Sequence, residues 1–264
     1  MSIHWSKSVT NTTDIATAAE QGFRYIQPPV SMITAMQTAP FEALLQQLQD
    51  LRLQALVCND LLPAEVIVTD PGFNHFTWVQ YTKKALGRVA QMGCQAVAWD
   101  HGKSRLLPWE GSHVFALKEQ LDRFLYIICE QAANYGIQVL VEPMSSERTN
   151  YLTSMSDIEA LLHCVGADNL QAQISFRDWF ALQDGHDAIY QHTAMLQSIN
   201  LENPSIASKR QPPAATDSFS DGFSYATALD KLISAGFSGS INLPTSADQD
   251  TLRFCQSLVA YPLD

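Results

Sequence analysis

Short runs of β-branched and other apolar residues alternate along the chain with longer segments in which apolar side chains recur every three or four positions. The run 137–141 is typical of a buried strand. In the segment 40–53, Phe41, Leu44 and Leu48 share one face of a helix. Strands that alternate with helices in this way favour a parallel sheet with helical crossovers.

The pattern predicts eight strands and eight helices, which would form one α/β domain, a (β/α)8 TIM barrel over residues 1–264. The predicted strands are 3–6, 23–27, 54–58, 96–99, 137–141, 171–176, 196–201 and 240–243. Helices are predicted at 13–21, 40–53, 78–92, 115–135, from 156 onward, 183–192, 225–235 and 248–259. The segment 156–159 resembles a capping box, and the Pro- and Ser-rich stretch 203–220 predicts a long functional loop or a disordered lid.

Composition narrows the classes of partner. A chain of 264 residues, 46% of them hydrophobic, can bury one large core. A net charge of −11 with only 16 Lys and Arg argues against a nucleic-acid partner, because phosphate backbones are bound through basic residues. No stretch approaches the roughly 18 apolar residues that span a membrane, and the N-terminus does not resemble a signal peptide. We therefore expect a cytoplasmic protein with no membrane partner, whose five widely spaced cysteines are reduced core residues.

Glu142 is the first candidate for chemistry, because it ends the predicted strand 137–141 and is followed by Pro143. In an α/β barrel the C-terminal tips of the strands carry the active site. A strand-terminal acid can equally serve as a cap or an ion-pair partner, so both interpretations stay open. Asp100 and His101 follow the predicted strand 96–99 in the same way, and they form a candidate acid/base pair or a plain surface loop.

Several segments resemble, in order, those of xylose-isomerase-like barrels, in particular the sugar-phosphate isomerase/epimerase branch. The match spans nearly the whole chain. The segments are 22–27 (GFRYIQ), 59–63 (NDLLP), 102–108 (GKSRLLP), Glu142-Pro143 with Thr149-Asn150, 210–212 (RQP) and 235–241 (AGFSGSI). The resemblance implies a TIM barrel that acts on a small carbohydrate or sugar phosphate.

The resemblance also implies a divalent metal, held by a glutamate at strand five, an aspartate and a histidine after strands six and seven, and a glutamate ending strand eight. Such a cage suits proton transfer beside a carbonyl, because a metal stabilises the negative charge that develops on oxygen. In this chain Glu142 matches the first ligand, and Asp178 can be aligned with the aspartate.

The remaining ligand positions depart from the family pattern. Ala181 occupies the position of a histidine, the segment 198–200 (Ser-Ile-Asn) replaces His-x-His, Pro244 stands in place of the last glutamate, and Gln27 replaces the glutamate that usually ends strand two. Two carboxylates can hold a hydrated Mg²⁺ only loosely. We therefore expect no cofactor, or at most a weakly bound Mg²⁺ or Mn²⁺ at Glu142 and Asp178.

Four further residues are candidates for substrate binding. Arg105 lies in a loop that resembles the family's, and its guanidinium can hold a hydroxyl, phosphate or carboxylate, or pair with Glu110. Arg210 belongs to the Arg-x-Pro element and has Lys209 beside it, so it can bind a negatively charged ligand or lie in a solvated loop.

Asn150 matches a position near the substrate, although asparagine often serves turn geometry. Trp179, like Trp99 and Trp109, can stack on a sugar face or pack in the core or under a lid.

Two main functions compete. In the first, an isomerase or epimerase uses Glu142 as general base and Asp178 or His101 as the partner acid, while Arg105 or Arg210 stabilises the oxyanion. In the second, the chain is a catalytically inactive homologue that binds a sugar or regulates a partner. A barrel nuclease would need a histidine-rich zinc cluster and a basic groove, which the sequence lacks. The sequence leaves the oligomeric state open, including a homo-oligomer.

Overall fold

The computed structural model of the chain describes residues 3–108, 113–205, 210–219 and 222–259. Within them, parallel strands alternate with helices. The strands are β1 Ile3–Ser8, β2 Tyr25–Gln27, β3 Gln54–Ala55, β4 Val57–Cys58, β5 Ala96–Trp99, β6 Gln138–Val141, β7 Leu170–Ser175, β8 Leu196–Asn200 and β9 Gly239–Leu243. The helices are α1 Thr12–Glu20, α2 Val30–Ala35, α3 Thr38–Leu51, α4 His75–Gln91, α5 Val114–Ala133, α6 Met155–Val165, α7 Asp187–Gln191, α8 Tyr225–Ser234 and α9 Gln249–Ser257.

The strands form a barrel. Neighbours in the sheet run in the order β3-β2-β1-β9-β8-β7-β6-β5-β4, and all pairs are parallel. Only Leu56 separates β3 from β4, so these two short strands are halves of the single strand predicted at 54–58. The sheet thus closes on itself, and the predicted TIM barrel is confirmed.

Side chains alternate between the inside of the barrel and the layer beneath the helices, as the two-residue period of a strand requires. On β5, Val97 and Trp99 join the large core between sheet and helices, whereas Ala96 and Ala98 join a small apolar cluster with Leu140. The same parity directs Asp100 and Glu142, just beyond β5 and β6, toward the barrel axis. The strands thus deliver two acids to its mouth.

Local signals explain where the helices begin. Ser154, rather than Ser156, is the N-cap of α6, and its hydroxyl accepts a hydrogen bond from Asp157 N while the Asp157 carboxylate accepts one from Ser154 N. The predicted capping box was therefore displaced by two residues. Helix α7 is shorter than the predicted segment 183–192, because Gly185 adopts a positive φ of 78° just before it.

Helix α2 and three short 3₁₀ segments add to the predicted elements; the 3₁₀ segments are Gly102–Arg105, Phe176–Ala181 and Thr193–Met195. The first lies two residues beyond β5 and the second follows β7 directly, so both shape the C-terminal mouth of the barrel. Among the described residues, no helix is long and apolar enough to cross a membrane. Four of the five cysteines are buried and free as predicted, but Cys164 is exposed, which corrects its assignment to the core.

Candidate active site

Glu142 lies at the bottom of the barrel mouth. It follows β6 directly and is fully buried, with an exposed fraction of 0%. Gln173 Nε2 donates a hydrogen bond of 2.8 Å to Glu142 Oε2, and Asn200 Nδ2 donates one of 3.3 Å to the same oxygen. Arg148 Nη1 lies 3.5 Å from Glu142 Oε1. Burial raises the pKa of the Glu142 carboxyl above its usual range, and the charge of Arg148 opposes that rise.

Asp178 reaches the same guanidinium from the neighbouring strand end. It lies in the 3₁₀ segment after β7 and is buried. Ser145 N donates a hydrogen bond of 3.0 Å to Asp178 Oδ1, while Arg148 Nη1 donates to Asp178 Oδ2. The two acids that the sequence suggested as metal ligands are therefore brought together, and the group between them is Arg148.

A chain of buried amides and hydroxyls supports Glu142 from across the barrel. Asn242 Nδ2 donates 3.0 Å to Asn200 Oδ1 and 2.8 Å to Ser8 Oγ, and Ser6 Oγ donates 3.3 Å to Asn242 Oδ1. With its carbonyl oxygen accepting from Asn242, Asn200 turns its NH₂ group toward Glu142. The barrel interior is thus polar at this level, and its donors converge on one carboxylate.

An open cavity of about 360 Å³ lies at the C-terminal mouth. Charged side chains from the segments that follow five strands, β4 to β8, line it together with small polar groups and backbone. The lining residues are Ser8, Val9, Thr10, Pro29, Asn59, Asp60, Asp100, His101, Arg148, Arg177, Arg210 and Thr245. His101 and Arg210, two of the predicted site residues, therefore face the same space.

His101 and Asp60 form a hydrogen-bonded pair at the wall of this cavity. His101 Nε2 lies 3.1 Å from Asp60 Oδ1, and Asp60 N donates a bond of 3.1 Å to Asp100 Oδ1. The hydrogen bond to Asp60 raises the pKa of His101 above its ordinary value, although burial opposes the rise. Burial pushes the pKa of Asp60 upward, but the hydrogen bond and charge of His101, together with the charge of Arg210 and the contact with Asp100, lower that pKa below its ordinary value.

Arg210 bridges two buried acids at the mouth of the barrel. Its Nη2 lies 3.6 Å from Asp100 Oδ2, and its Nε lies 3.4 Å from Glu202 Oε1. Glu202 also accepts a hydrogen bond of 3.1 Å from Ser175 Oγ and lies 3.9 Å from Arg177 Nε. Burial raises the pKa of Glu202, so the two arginines favour its charged form against the cost of desolvation.

Arg105 and Asn150 are not among the described residues that line the cavity. Arg105 is 0% exposed; its Nη2 donates a bond of 2.5 Å to the backbone carbonyl of Glu142, and its guanidinium lies over the ring of Trp99. Burial lowers the pKa of Arg105 to about 10. Asn150 accepts a bond from Leu107 N at 2.9 Å and donates one to Leu107 O at 2.8 Å. Both side chains brace the loops around the mouth, and their substrate contacts stay predictions.

Trp179 is 0% exposed and packs against Phe176, Tyr190 and Phe223. It belongs to the apolar core, as one of the two interpretations of this residue proposed, and a contact with substrate stays a prediction. Trp109, Glu110 and Lys209 lie outside the described residues.

Sequence reasoning gave no role to three charged residues of the mouth: Asp60, Arg148 and Arg177. Asp60 adopts φ 53°, a left-handed conformation that directs its side chain toward His101. Arg148 could have been found, because it lies six residues after Glu142 in the loop at a strand tip. No sequence signal distinguishes Arg177 from a solvated arginine.

Comparison with known proteins settles the family. The sequence model of the xylose isomerase-like TIM barrel matches residues 15–252. The chain belongs to the xylose isomerase-like TIM-barrel family. No curated protein matches it.

Solved structures share this family's fold at low sequence identity. D-psicose 3-epimerase from Clostridium cellulolyticum H10, crystallised with D-tagatose, superposes with a TM-score of 0.80 at 10% identity, covering 98% of this chain and 99% of its own. The 3-keto-D-glucoside 4-epimerase from E. coli gives 0.76 at 12%, covering 97% and 99%. An AP endonuclease of family 2 from Brucella melitensis gives 0.70 at 15%, covering 97% and 98%. At these identities the likeness establishes the fold alone.

The residues at Glu142 and Asp178 do not fit the divalent metal that the family implies. The side chains that contact the Glu142 carboxylate, Gln173, Asn200 and Arg148, all present N–H donors to it. A hard cation needs oxygen lone pairs around it. The guanidinium of Arg148 already stands between the two carboxylates, where its charge would repel a second cation.

A second group, Asp60, Asp100 and His101, brings three ligand atoms within 4.8 Å of one another. Here His101 is hydrogen-bonded to Asp60, and Arg210 lies 3.6 Å from Asp100 Oδ2. Each of these contacts favours an internal ion-pair network over a metal centre.

Proposed function

We propose that this member of the xylose isomerase-like family is a sugar isomerase/epimerase-like protein that binds a small carbohydrate in the cavity at the barrel mouth and moves a proton on it without a divalent cation. The observation that carries the proposal is that one cavity of about 360 Å³ is lined by both a hydrogen-bonded His101–Asp60 pair and three arginines. That volume lies in the usual range of small-molecule sites.

The polar lining supports a carbohydrate ligand. Hydroxyl groups of a sugar both donate and accept hydrogen bonds, and Ser8, Thr10, Asn59 and Thr245 offer both functions along the wall. Arg210 can hold a carboxylate or phosphate of a sugar acid or sugar phosphate in two hydrogen bonds. The net charge of −11 supports a small ligand over a nucleic acid, and the free cysteines support a reducing, cytoplasmic compartment.

His101 is the group best placed to transfer the proton. Its imidazole lies at the cavity wall, and its hydrogen bond to Asp60 fixes the ring. The same hydrogen bond raises the pKa of His101 and so favours its protonated form, which can donate a proton as general acid/base catalysis requires. Arg148 and Arg210 line the same cavity and would stabilise the oxygen on which negative charge develops. The roles of Glu142 as general base and of Asp178 as partner acid stay predictions.

The test is exchange of carbon-bound hydrogen in D₂O, followed by NMR, with a panel of aldoses, ketoses and their phosphates in the presence of EDTA. We expect exchange with at least one sugar, and a loss of about 10²-fold or more in His101→Asn. His186→Gln, a histidine on the surface, should keep the wild-type rate. Absence of exchange across the panel, or exchange that stops with EDTA, would overturn this function.

One observation favours a second candidate, a binding protein without catalysis. The Glu142 side chain is 0% exposed and its oxygens are occupied by Gln173, Asn200 and Arg148, so the acid nearest the barrel axis faces protein. This candidate predicts thermal stabilisation by a sugar, about 2.7 kcal/mol at a hundred times its Kd, with no isotope exchange. Exchange abolished by His101→Asn would exclude it.

A further inference from the structure

One nitrogen atom of Arg148 contacts two buried carboxylates at the barrel mouth. Nη1 donates to Asp178 Oδ2 and lies 3.5 Å from Glu142 Oε1. Glu142 ends β6, and Asp178 follows β7. An atom at the position of Nη1 is therefore held jointly by the tips of two neighbouring strands.

The backbone fixes this position. Arg148 N donates to Ser145 O at 2.9 Å, which closes a turn in the loop after β6. Gly102 lies against the same loop, because a Cβ there would come within 2.5 Å of Arg148 O. The turn and the contact with Gly102 fix the backbone of Arg148, and the two acids hold its guanidinium.

The surroundings of the guanidinium are arranged for a single positive charge. Burial disfavours a charged Arg148, but the charges of Glu142 and Asp178 outweigh burial and raise its pKa. Gln173 and Asn200 turn NH₂ groups, rather than oxygens, toward Glu142. The Gln173 oxygen, Oε1, is the atom of this side chain that could bind a metal, but Nε2 is the one that faces Glu142. Oε1 is buried and has no hydrogen-bond partner within the described part of the chain.

We infer that Arg148 is a built-in cation that takes the place of a divalent metal in this barrel. It neutralises Glu142 and Asp178 and presents its remaining donors to the cavity, which it lines. The sugar contact of Arg148 rests on the proposed function, whereas its replacement of a metal does not.

Loss of the Arg148 guanidinium has a consequence that needs no substrate. It leaves two buried carboxylates facing the space that the guanidinium filled, with Gln173 Oε1 able to turn toward it. A divalent ion then relieves their repulsion, because Mg²⁺ and Mn²⁺ are bound by carboxylate and amide oxygens. The arginine-free variant should therefore acquire a metal site that the natural chain lacks.

The experiment measures Mn²⁺ binding by the loss of the free-ion EPR signal, together with the melting temperature with and without Mn²⁺. We expect no stoichiometric ion and no shift in the wild type or in Arg253→Ala, a control at an exposed arginine. Arg148→Ala should bind one Mn²⁺ and melt at a higher temperature with it. Arg148→Ala combined with Asp178→Asn should lose the ion, and Arg148→Lys should not gain one.

Two results would overturn the inference. One is a wild type that binds one Mn²⁺ and loses it in Glu142→Gln; the other is a folded Arg148→Ala that ignores Mn²⁺. If Arg148→Ala does not fold alone, refolding it with Mn²⁺ decides the matter: recovery supports a vacated cation position, and no recovery contradicts it. Failure to find sugar turnover affects none of these readouts, so the two proposals fail separately.

Discussion

Asn242 donates a 3.0 Å hydrogen bond to the side-chain carbonyl of Asn200 and thereby determines which end of Asn200 faces Glu142. The same Asn242 amide is held by Ser8. Three strands, β1, β8 and β9, thus cooperate to aim one N–H group at a buried carboxylate. Resemblance to the family marked residues 198–200 only as departures from His-x-His, whereas the structure gives Asn200 a definite role.

Asn242→Leu should destabilise the fold. The leucine has the same number and branching of side-chain heavy atoms, but it leaves Asn200 Oδ1 and Ser8 Oγ without their donor, at a cost of about 1–3 kcal/mol for a buried unsatisfied group. Urea unfolding would measure the change. Gln46→Leu, at an exposed helical position, should stay within about 0.5 kcal/mol of wild type. Equal stability of Asn242→Leu and wild type would show that the amide chain does not support the fold.

Gly102→Ala should be destabilising by about 1–3 kcal/mol, because the new Cβ would lie 2.5 Å from the carbonyl oxygen of Arg148, and backbone must shift. Gly87→Ala provides a matched control. Its Cβ would meet only Tyr135 Oη at 3.6 Å inside α4, so the higher helix propensity of alanine should raise stability by about 0.5–1 kcal/mol. Chemical denaturation of both variants compares them directly; a neutral Gly102→Ala would refute the close approach of the two loops.

The pH titration of His101 should have its midpoint above 6.5, the ordinary value for histidine, because Asp60 accepts a hydrogen bond from the imidazolium. Asp60→Asn should lower the midpoint. NMR of the imidazole ring protons of His101 would follow the titration in both proteins. A midpoint at or below 6.5 in wild type would contradict the pairing.

The sign of the linked stability follows from the same shifts. A raised folded-state pKa of His101 means that its contribution is fully present below 6.5 and is lost as the pH rises through the folded-state value. The pKa of Asp60 is lowered, so the contribution of Asp60 is lost as the pH falls through its folded-state value. The pair should therefore stabilise the fold most between these two limits, and unfolding measurements on Asp60→Asn should show no such maximum.

Alkaline pH should destabilise the protein through Cys129. Burial raises the pKa of this thiol from 9.0 to about 12, so between these values the unfolded chain ionises while the folded chain does not. Stability then falls with rising pH by about 1.4 kcal/mol per unit from this group. Cys129→Ala should remove that part of the slope, whereas Val139→Ala, another small truncation in the core, should keep it. Identical slopes in both variants would exclude the thiol as the cause.

The sequence allowed the barrel to be predicted because its strands and helices carry strong periodic signals, as β6 and α3 do. It could not reveal the break at Leu56, since the apolar pattern runs through 54–58 without interruption. The ends of the predicted strands 96–99 and 137–141 also allowed Asp100 and Glu142 to be placed at the mouth. The partners of these acids that lie in loops could not be predicted in this way. Arg148 contacts Asp178 only because two separate loops converge, and no local sequence pattern encodes that contact.

Trp179 and Arg105 also show that the sequence does not determine where a loop side chain points. Trp179 and Arg105 occupy loops that follow strands, yet both side chains turn into the protein, at 0% exposure. Chain position gives the end of the barrel to which a residue belongs, but the direction of a loop side chain depends on packing. His101 and Arg210 carry equally weak signals in the sequence, and they line the cavity.

The ion pairs around the mouth form a continuous line of alternating charge. Arg210 contacts Glu202, Glu202 lies 3.9 Å from Arg177, Arg177 lies 4.0 Å from Asp178, and Asp178 accepts from Arg148. A ligand that binds Arg210 would compete with Glu202 for this arginine. Arg177 would then be the main positive partner of Glu202 and would balance less of the charge of Asp178, the partner of Arg148. A ligand charge beside Arg210 would in this way alter the electrostatic surroundings of Arg148 through a line of side-chain ion pairs.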